Sequence, residues 1–291
     1  MNLTLLGYRS LEFICKRTPL FIADFIIKIL SWVYYKCDRK NRKNVEKNMR
    51  LIGEHLGIDI SSKVPEVYYQ FACFIFEFFS KMKCEVKNEV SFDSKVHELL
   101  GPKGNKPYLI IVSHQGNWEF SCRKIMDLGY PVTSIALESS NKEVTNFFYH
   151  LRQHPMLELF YLKDGIQPCL DAIARNRIIA LACDRDYTNR GVEVIVASQK
   201  VSFPVGPAYI ARKTRIPIFL STSKRISLGC FEMNLKPVCI EVGMLDKDKA
   251  IENISQAIAT ILFEQVLKCP EQWVTFDDYF SKKDYAHLNI Q

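Results

Sequence analysis

From about residue 107 onward, short apolar runs alternate with amphipathic stretches, whereas the chain before it is patterned as helix. The runs PYLIIV (107–112), PVTSIAL (131–137), LELFYL (157–162), IIALAC (178–183), VEVIVA (192–197) and IPIFLS (216–221) have the length and residue types of strands, and FEMNLKPVCI (231–240) reads as a later one. Segments 117–128, 141–153, 165–175, 205–213 and 247–268 read as amphipathic helices. Such alternation predicts an α/β fold with a largely parallel central sheet flanked by helices. Residues 1–100 read as a helical N-terminal region and 101–291 as the α/β core; no linker separates them, so one structural unit is expected.

The N-terminal pattern is greasier. PLFIADFIIKILSWVYY (19–35) is apolar but short for a membrane span, and Asp24 and Lys28 interrupt it. Seven Lys or Arg follow between Lys36 and Arg50, against Asp38 and Glu46 alone. An apolar, aromatic helix followed by a basic one fits a protein lying on an anionic bilayer face. The plain alternative is a helix packed inside, with the basic run as a solvated face. A third helix, from about Pro65 to Lys83, is aromatic nearly all round, so it is a core helix or the wall of an acyl-chain site. Glu77 within it needs a partner, since an unpaired buried carboxylate is costly.

Composition changes this picture little. Of 291 residues, 48% are hydrophobic and 24% charged, which is ordinary globular usage. A formal charge of +7 points to an anionic partner or surface. Nucleic acid is not expected, because no zinc-finger, basic-zipper or RNP-like motif appears. The ten cysteines form no C-x-x-C pair and lie mostly among apolar neighbours, which argues against zinc or redox chemistry. With no secretory signal visible, a reducing cytoplasm is the simplest compartment. No P-loop or G-x-G-x-x-G is present, and His150 and His154 lack a third metal ligand, so neither a cofactor nor a metal is expected.

The candidate chemistry sits in SHQGNWEF (113–120), directly after the first core strand. His114 at the C-terminal end of a strand lies where α/β sheets gather their ligands. Gly116 permits a turn, Asn117 is a good N-cap, and Glu119 in the first helical turn can then meet the imidazole. A carboxylate there would fix the tautomer and stabilise the imidazolium. On spacing alone, a His and a Glu that merely cap a helix remain the simpler reading.

The residue identities go further. His114, Gly116, Asn117, Trp118 and Glu119 closely resemble the H-x-G-N-W-E signature of the bacterial lipid A late acyltransferases, a branch of the glycerolipid acyltransferase superfamily with its H-x-x-x-x-D/E motif. DRKNRKNVEKNMRLI (38–52), CDRDYTNRGVEV (183–194), GPAYIARKTRIPIFL (206–220) and PEQW (270–273) resemble further blocks of that family, so the likeness covers nearly the whole chain. It implies transfer of an acyl chain from a thioester, carried by acyl carrier protein or coenzyme A, to a hydroxyl of a membrane glycolipid, most simply lipid A or its precursor. It also implies a peripheral position on the cytoplasmic face of the bacterial inner membrane. By position, His114 would be the general base and Glu119 its partner, with backbone N–H groups of the turn facing the thioester oxygen. Arg152 aligns with an Arg placed near substrate phosphates. Asp184 and Asp186 match the family's Asp block, one of them holding Arg152 or the His turn. Asn117 and Glu193 complete the expected substrate-side residues, although a strand Glu facing water explains Glu193 too.

The chain departs from that pattern at VIVASQKVSFPVGPA (194–208), at HPM (154–156) and at VTFDDYF (274–280). DRD with GVEV is more similar to the phosphatidylinositol mannoside acyltransferases, so that glycolipid is the alternative acceptor. A lipid-binding protein that kept the fold without catalysis is the rival of another class.

Overall fold

The structure, a computed structural model, describes residues 3–81, 84–240 and 247–281. Four helices lead: α1 (Leu3–Arg17), α2 (Leu20–Cys37), α3 (Arg39–Leu56) and α4 (Val64–Phe79). The Asp38 side chain caps α3 by accepting from the Asn41 N–H at 3.1 Å, and Gly57 closes it in the left-handed region. α4 stops at Phe79, short of the expected end: Ser80 caps it and Lys81 turns left-handed at φ 58°, and residues 82 and 83 lie outside the described residues. Then come β1 (Glu85–Val86), α5 (Glu89–Leu100), β2 (Tyr108–Val112), α6 (Trp118–Asp127), β3 (Val132–Ala136), α7 (Lys142–Arg152), β4 (Leu157–Tyr161), α8 (Gln167–Ala174) and β5 (Ile178–Ala182). The chain continues through β6 (Val192–Val196), β7 (Gln199–Phe203), α9 (Gly206–Thr214), β8 (Ile218–Ser227), β9 (Cys230–Val238) and α10 (Lys247–Lys268).

Among the described residues, seven strands form one sheet in the order β1-β9-β8-β2-β5-β3-β4. Every neighbouring pair is parallel except the β8–β9 hairpin. The expected α/β fold with a largely parallel sheet is what the chain adopts. One expected strand sits elsewhere: β6 pairs only with β7 in a separate antiparallel hairpin. Its alternating burial, with Val194 and Val196 inside and Glu193 and Ile195 outside, suits a ribbon covered on one face. β1 and β7 have no counterpart among the expected strands, while α1 and α5 lie in the expected helical region without having been singled out there.

The sheet is buried on both faces. Leu109 and Ile111 of β2 pack with α3, α4, α8, α9 and α10, while Tyr108 and Ile110 pack with α5 and α6. Thus α5 and β1, within the first 100 residues, join the sheet and its core. A third cluster ties α1, α2, α4 and α7 together around Cys15, Ile27, Phe79 and Leu151. The charges that interrupt the apolar α2 satisfy each other: Lys28 lies 2.6 Å from Asp24, which also accepts from the Tyr69 hydroxyl at 2.5 Å. Among the described residues no helix is long and apolar enough to cross a membrane.

Candidate active site

Strand order builds the site. β2 and β5 are adjacent and parallel, with Val112 opposite Ala182. Two residues past each, His114 and Asp184 leave the same sheet edge side by side. Asp184 accepts from the His114 N–H at 3.2 Å through one oxygen and contacts Nδ1 at 2.6 Å through the other. The indole of Trp273 donates to the first of these oxygens at 2.8 Å. Burial alone would raise the Asp184 carboxyl, but His114, Arg185 and the Trp273 N–H together hold it well below the usual carboxylate range. An ionised carboxylate can only accept, so the proton of the neutral ring belongs on Nδ1 and the lone pair on Nε2.

The turn itself is fixed at each step. Val274 N–H donates to the His114 carbonyl at 3.0 Å, and Gly116 N–H donates to the Gln272 carbonyl at 3.0 Å. The Gln115 amide donates to the Cys269 carbonyl at 2.9 Å. Gly116 adopts φ 64°, and a Cβ there would fall 1.7 Å from the Ser223 carbonyl oxygen. Only glycine fits such an approach. Gly116 N–H, one of the donors expected to face a thioester oxygen, is therefore committed to Gln272.

His114 lines a cavity of about 590 Å³, a size common for ligand pockets. Its lining is largely apolar, with Ile125, Met126, Val132, Leu157 and Leu159 among it, and also carries Lys163, Arg185 and Arg190. Trp118 packs edge-on to the imidazole with centroids 4.7 Å apart and stacks on Phe74. Glu119 and Arg152 share a wall: Arg152 donates to one Glu119 oxygen from Nε at 2.9 Å and Nη2 at 2.7 Å, and its guanidinium lies 5.0 Å from the centre of the Phe78 ring.

The sequence model of the bacterial lipid A biosynthesis acyltransferases matches residues 4–282. The chain belongs to that family. It is also similar to the phosphatidylinositol mannoside acyltransferases of Mycobacterium tuberculosis, at 26% identity over 110 residues, and of Mycolicibacterium smegmatis, at 27% over 115 residues. Those matches cover 36% and 38% of this chain, and the chain spans 35% and 38% of the length of these relatives.

Within this acyltransferase fold, the residues expected from the sequence separate into two sets. His114, Glu119 and Arg152 line the cavity, and Asp184 stands behind the imidazole. The carboxylate in contact with the imidazole is Asp184 and not the expected Glu119, because β5 brings Asp184 to the ring while α7 brings Arg152 to Glu119. Asp186, expected at the substrate, is buried and ties its own loop to β7. It accepts from the Thr188 and Gly191 N–H groups at 2.8 and 2.9 Å and from the Ser202 hydroxyl at 2.7 Å. Asn117 is fully buried, caps α6 by accepting from Phe120 N–H at 2.9 Å, and donates to Glu77 at 2.9 Å. It holds the turn and does not line the cavity. Glu193 is exposed on β6 and pairs with Lys200 at 2.7 Å, away from the cavity lining. Trp273 went unassigned from sequence; the Gln-Trp pair of PEQW was its signal.

Proposed function

We propose that the protein moves a fatty acyl chain from a thioester to a hydroxyl of a membrane glycolipid, with His114 as general base. The carrying observation is the 2.6 Å contact of His114 Nδ1 with Asp184 at the wall of a largely apolar cavity. Nε2 takes the hydroxyl proton as the oxygen attacks the thioester carbonyl. A C–O bond forms, the C–S bond breaks, and the imidazolium returns its proton to the leaving thiolate. Asp184 holds the ring and stabilises its cation. No acyl-enzyme is invoked. Of the cavity-lining thiols, Cys122 is pushed up to about 12 by burial, aided by the Glu119 carboxylate, and burial raises Cys183 as well.

The apolar lining of the cavity suits the acyl chain. Arg152 keeps further N–H donors for a phosphate after binding Glu119. Family membership favours lipid A or its precursor as acceptor, and the mycobacterial likeness favours a phosphatidylinositol mannoside as the second reading. The donor is a thioester of acyl carrier protein or coenzyme A.

Access to such a lipid is provided by α1 and α2. On α2, Ala23, Ile27 and Ser31 face inward, while Phe21, Phe25, Leu30 and Trp32 stand exposed. Exposed Lys36, Arg39, Lys40 and Lys43 follow. This is the layout of a helix lying in the interface of an anionic bilayer, consistent with the cytoplasmic face of a bacterial inner membrane. Mass spectrometry of host glycolipids with wild-type protein, with His114→Ala and with none tests the proposal. A glycolipid gaining one acyl chain only with the wild type is expected; identical profiles in all three would end it.

A further inference from the structure

One deeply buried pair of charges is unused by this chemistry. Glu77 of α4 is 1% exposed and Arg225 of β8 is 4% exposed. Arg225 binds Glu77 two-pronged, Nε to Oε1 at 2.8 Å and Nη2 to Oε2 at 2.7 Å, and its Nη1 donates to Gln70. A buried ion pair is weak evidence for stability, because apolar residues of similar volume often hold a fold as well. Gly229 N–H also donates to Glu77 Oε1 at 3.1 Å, but what distinguishes this pair is where its other bonds go. Nη2 of Arg225 also reaches the Gly116 carbonyl at 3.3 Å, and Glu77 Oε2 accepts from the Asn117 amide at 2.9 Å. The Arg225 backbone exchanges hydrogen bonds with the Gln272 amide, 2.8 Å each way, and the Gln272 carbonyl receives Gly116 N–H. The next residue, Trp273, binds Asp184.

We propose that Glu77 and Arg225 are positioning residues that fix the His114–Asn117 turn against Asp184. The pair grips the turn at Gly116 and Asn117 while Arg225 steers the Gln272–Trp273 segment that carries the second donor to Asp184. Neither residue touches the cavity, so both act through the imidazole and its carboxylate. Lysine in place of Arg225 keeps the charge but cannot supply the planar fork to Glu77 and the contact to Gly116 together.

The kinetic arm of the test rests on the acyl-transfer reading. The full chain is assayed with palmitoyl-coenzyme A and palmitoyl-acyl carrier protein against a glycolipid extract, as wild type, Arg225→Lys, and the double variant Glu77→Met/Arg225→Met. Both variants are expected to fold, with kcat lowered on the order of 10²-fold and KM little changed, as for a misplaced catalytic group. The inference is overturned if kcat of Arg225→Lys stays within about threefold of wild type, or if the loss merely follows the folded fraction. Should the double variant fail to fold, Arg225→Lys decides. Should the wild type transfer nothing, the proposed function fails by itself, and nitrogen NMR of the His114 imidazole decides instead. A shift away from the Nδ1–H tautomer in Arg225→Lys supports positioning, and an unchanged spectrum overturns it.

Discussion

The His114 turn and the α1–α2 pair solve opposite problems. Around the turn, polar groups lie inside and are satisfied: Asp184, Asn117, Glu77, Arg225 and Gln272 are all buried and hydrogen-bonded. On α2 the order is reversed, with Ala23, Ile27 and Ser31 turned inward and large apolar residues toward solvent. Buried polar groups demand complete pairing and so allow one geometry. An outward apolar face demands only an apolar medium, and is indifferent to which aromatic or aliphatic residue meets it. Substitutions at the turn should therefore damage chemistry or folding, and those on the α2 face should leave both intact.

The largest effect belongs to the imidazole and its carboxylate. His114→Ala should abolish thioester-dependent transfer, and Asp184→Asn should lower kcat on the order of 10²–10⁴-fold, since an amide can favour the wrong tautomer. Full activity in either variant would remove His114 from its role. Glu119→Ala should cost less than Asp184→Asn if Glu119 acts by holding Arg152. Asp184 also leaves a signature in stability. Its depressed folded pKa means that its contribution is present above ~4 and is lost as pH falls toward the folded value. Acid unfolding followed by circular dichroism should show that dependence in wild type and lose it in Asp184→Asn.

Gly116→Ala comes next. Its Cβ would overlap the Ser223 carbonyl, which is backbone and cannot swing aside, and the left-handed φ adds strain. A loss of at least about 2–3 kcal/mol in chemical denaturation is expected, against less than about 0.5 kcal/mol for a substitution at an exposed α2 position. Equal stability of the two variants would erase the contrast.

Much of the fold could be read in advance because β2 and β5, adjacent at the sheet's centre, are unbroken apolar runs. The α/β alternation placed His114 at a strand end and Asn117 at a helix start. Sheet order is the part that sequence hides. Nothing local to residue 114 reveals that β5 lies beside β2, so the nearby Glu119 looked like the orienting carboxylate while Asp184, 70 residues away, holds the ring. The Asp block was recognised, but Asp184 and Asp186 share one local context and are separated only by tertiary contacts. Glu77 declared its need for a partner through its greasy surroundings. Its partner Arg225 lies 148 residues on, in a strand whose far half is too polar to look buried.

The apolar face gives a smaller, binding-only effect. Replacing Phe21, Phe25, Leu30 and Trp32 together by Ser should lower partition onto anionic vesicles on the order of 10²-fold, judged from the apolar area withdrawn from the membrane. Melting temperature and transfer to a detergent-dispersed acceptor should stay near wild type. If vesicle binding persists, another face docks. Neutralising Lys36, Arg39, Lys40 and Lys43 should have a weaker effect that fades with added salt, because these charges are exposed and screened.

The smallest effect is the sharpest check on how the two regions are divided. Glu193 lies in a sequence block that resembles a functional one, three residues after the cavity-lining Arg190. Yet it projects from β6 into solvent and pairs with an equally exposed Lys200. An ion pair of that kind contributes ~0–1 kcal/mol. Glu193→Ala should therefore leave kcat, KM and vesicle binding unchanged, because it touches neither the fixed polar turn nor the outward apolar face. A clear fall in kcat would mean that the β6–β7 hairpin reaches the acceptor during turnover, and the cavity lined by His114 would then be only part of the reacting surface.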